Sequence, residues 1–246
     1  MTNTVHETPT SLIDQFMIGL TLDDISDKNP EFTRGMSEIY TNNLGNGHFD
    51  DFLFIHIAKT AGVSINNSLG IKGRMHFTAQ EFQKALGDDK FQRLFKFTVV
   101  RNPWDRAVSQ YSHLWSTMHE DFPSFSDWVK IVYGEVLPIS YKNGDKYFTL
   151  KYKDNTIEGL LKPYIPQLDW LRDKNGKMLV NFVARHENLQ DDFNTICDKI
   201  GVARRILPHN NASKRDKDYR SYYDQKSKKL VGDFFRKEIK RFSYKY

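Results

Sequence analysis

Cysteine is all but missing: Cys197 is the one cysteine among 246 residues, so no disulfide can form within the chain, which suits a reducing compartment. Long apolar runs are missing too. The stretch Leu12 to Leu22 is interrupted by Asp14, Gln15 and Gly19, and the N-terminus lacks the basic-plus-apolar pattern of a leader. These absences predict a soluble, non-secreted, cytoplasmic protein with no transmembrane segment. There is no internal repeat, no metal-ligand spacing such as His-x-x-x-His and no nucleophile elbow. Charge of one sign is scarcely in excess. Lys and Arg outnumber Asp and Glu by 36 − 31 = 5, much of the surplus lying after Arg204, which suits a polyanionic ligand without demanding nucleic acid. Aromatic residues, by contrast, make up 14%, enough to build the core of one α/β domain at this length.

Two segments carry chemistry. Phe52–Ser64 and Phe95–Tyr111 each begin as an apolar run and end abruptly in basic, small and hydroxyl residues. Continuous apolar runs are the mark of parallel strands buried on both faces, and ligands of such sheets sit beyond the strands' carboxyl ends. Lys59 and Arg101 fall at those ends, as two halves of a site for a nucleotide with phosphates at both ends. In the first segment Phe52 to Ile57 predict a strand, Lys59, Thr60, Ala61 and Gly62 a tight turn, and Ser64, Ile65 and Leu69 the start of a helix, with Val63 between. Backbone N–H groups at a helix N-terminus point at an anion, and a lysine adds a point charge. The glycine pattern of common nucleoside triphosphatases is absent, because Ala58 and Leu53 stand where its glycines belong, so a standard Walker loop is excluded.

In the second segment Arg101 ends the strand, Asn102 is placed as a helix N-cap and Pro103 takes the first helical position. Arg101 then offers a planar fork to a phosphate, with the Ser109 hydroxyl further along the helix. Between the two segments, Thr78 and Glu81 form a capping box with Phe77 and Phe82 as its hydrophobic staple, which predicts a helix from Ala79 towards Leu86 and leaves His76 in the loop before it. An imidazole there suits general-base work. His56 lies within an apolar strand, where a structural role is favoured. The tract from Met118 to Trp170 is aromatic and irregular, suited either to core or to an acceptor wall. Asp173–Lys177 reads as a hairpin turn feeding a strand over Leu179–Ala184. Cys197 belongs to an apolar helix face with Leu189, Phe193, Ile196 and Ile200. Leu230, Val231, Phe234, Phe235 and Ile239 give the final helix an apolar stripe.

Lys59–Ser64 (KTAGVS) and Arg101–Tyr111 (RNPWDRAVSQY) are similar to the 5′-phosphosulfate loop and the 3′-phosphate motif of the sulfotransferases, most closely the carbohydrate-type sulfotransferase family 2. Arg185–Phe193 resembles that family's late strand-to-helix junction, and Asn210–Asp224 a loop closing over the nucleotide. Ala58, Val63 and His186 depart from its usual residues, His186 standing where an aromatic is frequent. The resemblance implies a three-layer α/β/α domain over residues 51–246 with a central parallel sheet and a P-loop-like, nucleotide-binding sulfotransferase fold, preceded by an extension and linker over residues 1–50. It implies 3′-phosphoadenosine 5′-phosphosulfate as co-substrate, adenosine 3′,5′-bisphosphate as product, no metal, and a hydroxyl acceptor on a saccharide. It implies His76 as base, Lys59 at the leaving phosphate, and nucleotide contacts from Thr60, Ala61, Gly62, Val63, Ser64, Arg101, Ser109, Arg185, Ser213 and Lys214. A nucleotide kinase and a non-catalytic nucleotide-binding module are the alternatives.

Overall fold

The strands expected at Phe52 and Phe95 are neighbours in a parallel sheet whose third strand begins at Phe182. The structure, a computed structural model, describes residues 51–71, 76–115, 122–135, 139–142, 145–152, 155–208 and 215–246. In chain order these form β1 (Phe52–Ile55), α1 (Gly62–Leu69), α2 (Ala79–Leu86), α3 (Asp88–Arg93), β2 (Phe95–Val100), α4 (Pro103–Trp115), α5 (Phe125–Gly134), β3 (Ile139–Lys142), β4 (Asp145–Tyr152), β5 (Asn155–Leu160), β6 (Phe182–Arg185), α6 (Leu189–Lys199), α7 (Gln225–Phe234) and α8 (Arg236–Phe242). The expectations for residues 1–50, for Ser213 and for Lys214 lie outside the described residues.

The parallel sheet has the order β1-β2-β6. Its register pairs Ile55 with Thr98 and Val100 with Arg185, so Arg101 and His186 follow side by side beyond the carboxyl edge. β1 stops two residues short of the expected Ile57, where the Thr98 hydroxyl takes the Ile55 carbonyl at 2.8 Å. Alternate residues of a strand face opposite ways. Leu53, Ile55 and Val100 accordingly join Phe82, Phe91, Trp104, Val108, Trp128 and Val231 in one buried cluster. Phe52, Phe54, Phe97, Val99 and Ala184 join Ile65 and Leu69 of α1 and Phe193, Ile196 and Cys197 of α6 in a second.

The local signals around the sheet behave as their chemistry dictates. Thr78 and Glu81 form the reciprocal capping box of α2, and the rings of Phe77 and Phe82 meet edge to face at 5.7 Å. The Asn102 side chain accepts from the Trp104 N–H at 3.0 Å and starts α4. Gly176, at φ 82°, closes the turn after Asp173, but β6 begins at Phe182 rather than Leu179. Leu179 is held in the hairpin by its N–H bond to the Leu171 carbonyl, and Asn181 makes the first link to β2 with its backbone N–H and its side-chain oxygen, both to Lys96. The apolar C-terminal stripe is divided between α7 and α8, which meet at Phe235 outside helical dihedrals.

The tract read as irregular contains a second sheet, antiparallel, in the order β3-β4-β5. Within the same tract Phe125, Trp128, Tyr133, Tyr164 and Trp170 are buried, so these rings are core.

Candidate active site

The loop between β1 and α1 is turned so that three successive carbonyls are taken by side chains. Ile57 O accepts from the Thr60 hydroxyl at 2.8 Å, Ala58 O from Arg106 Nε at 3.2 Å and Lys59 O from Arg101 Nη1 at 3.2 Å. In a trans peptide the N–H points opposite its carbonyl, so the following amides face the other way. Lys59 and Ala61 both adopt left-handed backbone, at φ 67° and 69°. That conformation costs a residue with a Cβ about 1–2 kcal/mol, and the three side-chain anchors hold it in place. Among the described residues, no N–H from Lys59 to Val63 is paired with a carbonyl. Helix α1 starts at Gly62 with no side-chain cap and no acidic residue in its first turn. Its N-terminal amides therefore remain available to an anion. The hydroxyl protons of Thr60 and Ser64 are committed internally, the latter to Pro208 O at 2.9 Å.

The carboxyl edge of β2 supplies the opposing half. Arg101, Asp105 and Ser109 succeed one another at intervals of four residues, so they share a face at the head of α4. Asp105 accepts from Arg101 Nε at 2.7 Å and from Arg215 Nη2 at 2.6 Å. Burial alone raises a carboxyl group's pKa, yet the two guanidinium groups hold that of Asp105 below its ordinary value. Positive charge exceeds negative here. Burial, with Arg101 and Arg215 nearby, brings Lys59 down to about 8 and keeps His186 neutral, lowered to about 4. Arg215 Nη1 is buried with no hydrogen-bond acceptor among the described residues.

His76 stands before α2 with Nδ1 3.0 Å from the carbonyl oxygen of His56. A carbonyl can only accept, so this hydrogen bond places the proton on Nδ1 and the lone pair on Nε2, the tautomer of a general base. The His76 ring lies 4.4 Å from that of His56 and edge-on to Trp170 at 6.4 Å.

A sequence model of the sulfotransferase family matches residues 47–245 of the chain. The chain belongs to the sulfotransferase family. Membership makes it a transferase of the sulfotransfer class, acting on an acceptor with a sulfate donor. An uncharacterized protein of Archaeoglobus fulgidus is 29% identical over 140 residues, which cover 55% of this chain and 90% of that protein. No solved structure matches this sulfotransferase. Among its described residues no helix is long and apolar enough to cross a membrane, and no group of three or more His, Cys, Asp or Glu is placed to hold a metal ion.

Of the residues singled out in the sequence, the sulfotransferase structure brings Lys59 and Arg101 into direct contact through the Lys59 carbonyl, with the α1 amides adjacent. Ser109 is buried on α4, four residues after Asp105. The Arg185 guanidinium donates to the Phe242 carbonyl and lies 5.2 Å from the Tyr244 ring centroid. Arg215 and Asp105 were missed as site residues. A buried support was missed with them. The Gln167 side chain accepts from the Arg101 N–H at 2.8 Å and donates to its carbonyl at 2.9 Å, as a neighbouring strand would. Glu238, wholly buried, accepts in turn from the Gln167 side chain and from the backbone N–H groups of Gln167 and Leu168. Burial pushes Glu238 up to about 7 against the pull of Arg106. The sequence carries one signal of this support: Glu238 interrupts the apolar stripe of Phe235, Ile239 and Phe242 at α8.

Proposed function

We propose that this sulfotransferase moves a sulfuryl group from 3′-phosphoadenosine 5′-phosphosulfate to a hydroxyl of a saccharide, in a three-layer α/β/α, P-loop-like domain over residues 51–246. The observation that carries the donor is the pair of Arg101 and Arg215 sharing one carboxylate, with Arg215 Nη1 buried and lacking an acceptor among the described residues. A second anion-receptive element, the uncapped head of α1, lies across the Lys59 carbonyl contact from Arg101. A donor with phosphate groups at both ends of its nucleotide matches two such elements. We assign Arg101, Arg215 and Ser109 to the 3′-phosphate, Lys59 and the amides from Thr60 to Val63 to the phosphosulfate, and the uncharged ring of His186 to the adenine. Arg185, Ser213 and Lys214 remain assigned to the nucleotide on family resemblance, and so does the saccharide acceptor.

The chemistry is a direct displacement at sulfur. The acceptor oxygen forms its bond to sulfur as the bond from sulfur to the 5′-phosphate oxygen breaks, and adenosine 3′,5′-bisphosphate leaves. His76 Nε2 takes the acceptor proton. Lys59 and the α1 amides meet the charge that grows on the leaving phosphate, and this preorganised field carries most of the catalysis. No residue in this scheme needs a metal.

The test is a thermal-shift series with adenosine 3′,5′-bisphosphate against adenosine 5′-monophosphate. A ligand that binds only the native state at a hundredfold excess over Kd stabilises it by about 2.7 kcal/mol. The bisphosphate is expected to raise Tm more at equal concentration, and equal shifts would remove the donor assignment.

A further inference from the structure

His56 is left idle by the displacement just described, yet it touches both of its ends. The residue is 5% exposed and follows directly on β1. Its ring stacks on Phe54 with centroids 5.4 Å apart and 13° between planes. The same ring overlies Gly62: a Cβ built there would lie 1.8 Å from His56 Nε2 and 1.9 Å from Cδ2. Gly62 is not in the left-handed region, so the ring, not the backbone, is what requires a glycine at the head of α1. On its other side the His56 ring meets that of His76 at 4.4 Å, and the His56 carbonyl takes His76 Nδ1.

We infer that His56 is a positioning residue, its imidazole acting as a spacer that fixes the distance between the α1 amides and His76. The inference rests on the assignment of those two elements to the donor and the base. Displacement requires the reacting atoms within about 3–3.5 Å in line, and a 1 Å error of placement costs about a hundredfold in rate. A flat ring clamped between Phe54, Gly62 and His76 gives neither end freedom to drift. A histidine used in this way need not change its charge during turnover.

The experiment is a double-mutant cycle of Gly62→Ala with His56→Ala, together with His56→Phe. Gly62→Ala alone should lower Tm and weaken adenosine 3′,5′-bisphosphate binding by about tenfold, because the new methyl drives α1 off the ring. In the double variant the methyl has room, so both losses should shrink well below the sum of the single effects. His56→Ala should lower kcat by about a hundredfold, whereas His56→Phe, which keeps a flat ring, should retain kcat within about tenfold and preserve the pH limb of kcat/KM. Additive Tm changes in the cycle would overturn the spacer. Loss of the pH limb in His56→Phe would make His56 the base and overturn it equally. The Tm cycle needs no ligand, so failure of the parent protein to bind the bisphosphate would strike the donor assignment while the cycle still decides the contact.

Discussion

Arg215 donates to Asp105 at 2.6 Å across 110 residues of chain, tying the segment before the C-terminal helices to the head of α4. Arg101 takes the other oxygen of the same carboxylate. One anion thus serves two guanidinium groups in a place from which water is largely withdrawn, and burial first, with this excess of positive charge second, makes Lys59 and His186 release their protons early. Leaving a buried donor unpaired costs about 1–3 kcal/mol, and Arg215 Nη1 has no acceptor among the described residues. On the proposed assignment the 3′-phosphate supplies that acceptor.

Removal of either arginine should therefore be felt at the 3′-phosphate. Arg101→Ala and Arg215→Ala are each expected to weaken adenosine 3′,5′-bisphosphate by about 1.5–3 kcal/mol, the worth of a charge-assisted hydrogen bond. The monophosphate should lose much less. Calorimetric titration of both nucleotides against each folded variant measures this, and undiminished discrimination in both would place the 3′-phosphate elsewhere.

Lys59 gives the site a pH dependence of calculable sign. Its pKa in the free protein is about 8, and an anion beside it returns that value towards the ordinary 10.5, so binding takes up a proton at alkaline pH. Affinity for the bisphosphate should be level up to about pH 7, fall about twofold by pH 8 and then by up to about tenfold per unit, while the phosphates, with a second pKa of about 6, stay almost fully ionised. Lys59→Met should bind more weakly and lose the slope. A slope that survives in Lys59→Met would belong to another group.

Both halves of the candidate site were legible because short, local chemistry encodes them. Arg101 follows β2 directly and Lys59 lies in the loop after β1, and Asn102-Pro103 and Thr78-x-x-Glu81 mark helix starts, each within a few residues of sequence. What escaped were contacts of long sequence separation: Gln167 against Arg101, Glu238 against Gln167, Arg215 against Asp105. Nothing near Gln167 announces that its amide will complete the edge of β2. The second sheet escaped for another reason. Asp145–Tyr152 (DKYFTLKY) alternates with a period of two, and an Asn-Gly pair precedes it at Asn143, but interleaved lysines blur its apolar pattern, whereas the equivalent pair at Asn175 leads into the apolar run Leu179–Ala184, which only Asn181 interrupts. Trp170 and its aromatic neighbours could be read as surface or core, and only packing decides between these.

Glu238 should set part of the acid-side stability profile. Its folded pKa, about 7, lies above the unfolded value near 4.5, so the folded state binds the extra proton; the contribution is fully present below about pH 4.5 and is lost as pH rises through 7. His186 acts in the opposite sense, since a value lowered to about 4 makes its contribution grow between pH 4 and 6.5. The two overlap, so Glu238→Gln is informative by difference. The stability of the parent relative to the variant, from urea unfolding, should decline by on the order of 2–4 kcal/mol between pH 4.5 and 8. A constant difference would mean that Glu238 is ionised throughout.

Catalysis and binding are separated by comparing His76 with Lys59. As the proposed base, His76 meets the acceptor proton, which moves only during reaction, so His76→Ala should leave bisphosphate affinity near that of the parent and lower sulfuryl transfer by about 10²–10⁴-fold, the range of general acid–base groups. On the proposed assignment Lys59 touches the donor before reaction and the leaving phosphate during it, so Lys59→Ala should raise Kd and lower kcat together. The measurement needs an acceptor, to be found by screening saccharides and small phenols with labelled donor. With one in hand, kcat/KM for His76→Ala should also lose its acid limb, because the Nε2 lone pair fixed by the Nδ1 bond to His56 is then gone. Turnover of His76→Ala at the parent rate would assign the proton to another group, and the His56 variants would then identify it.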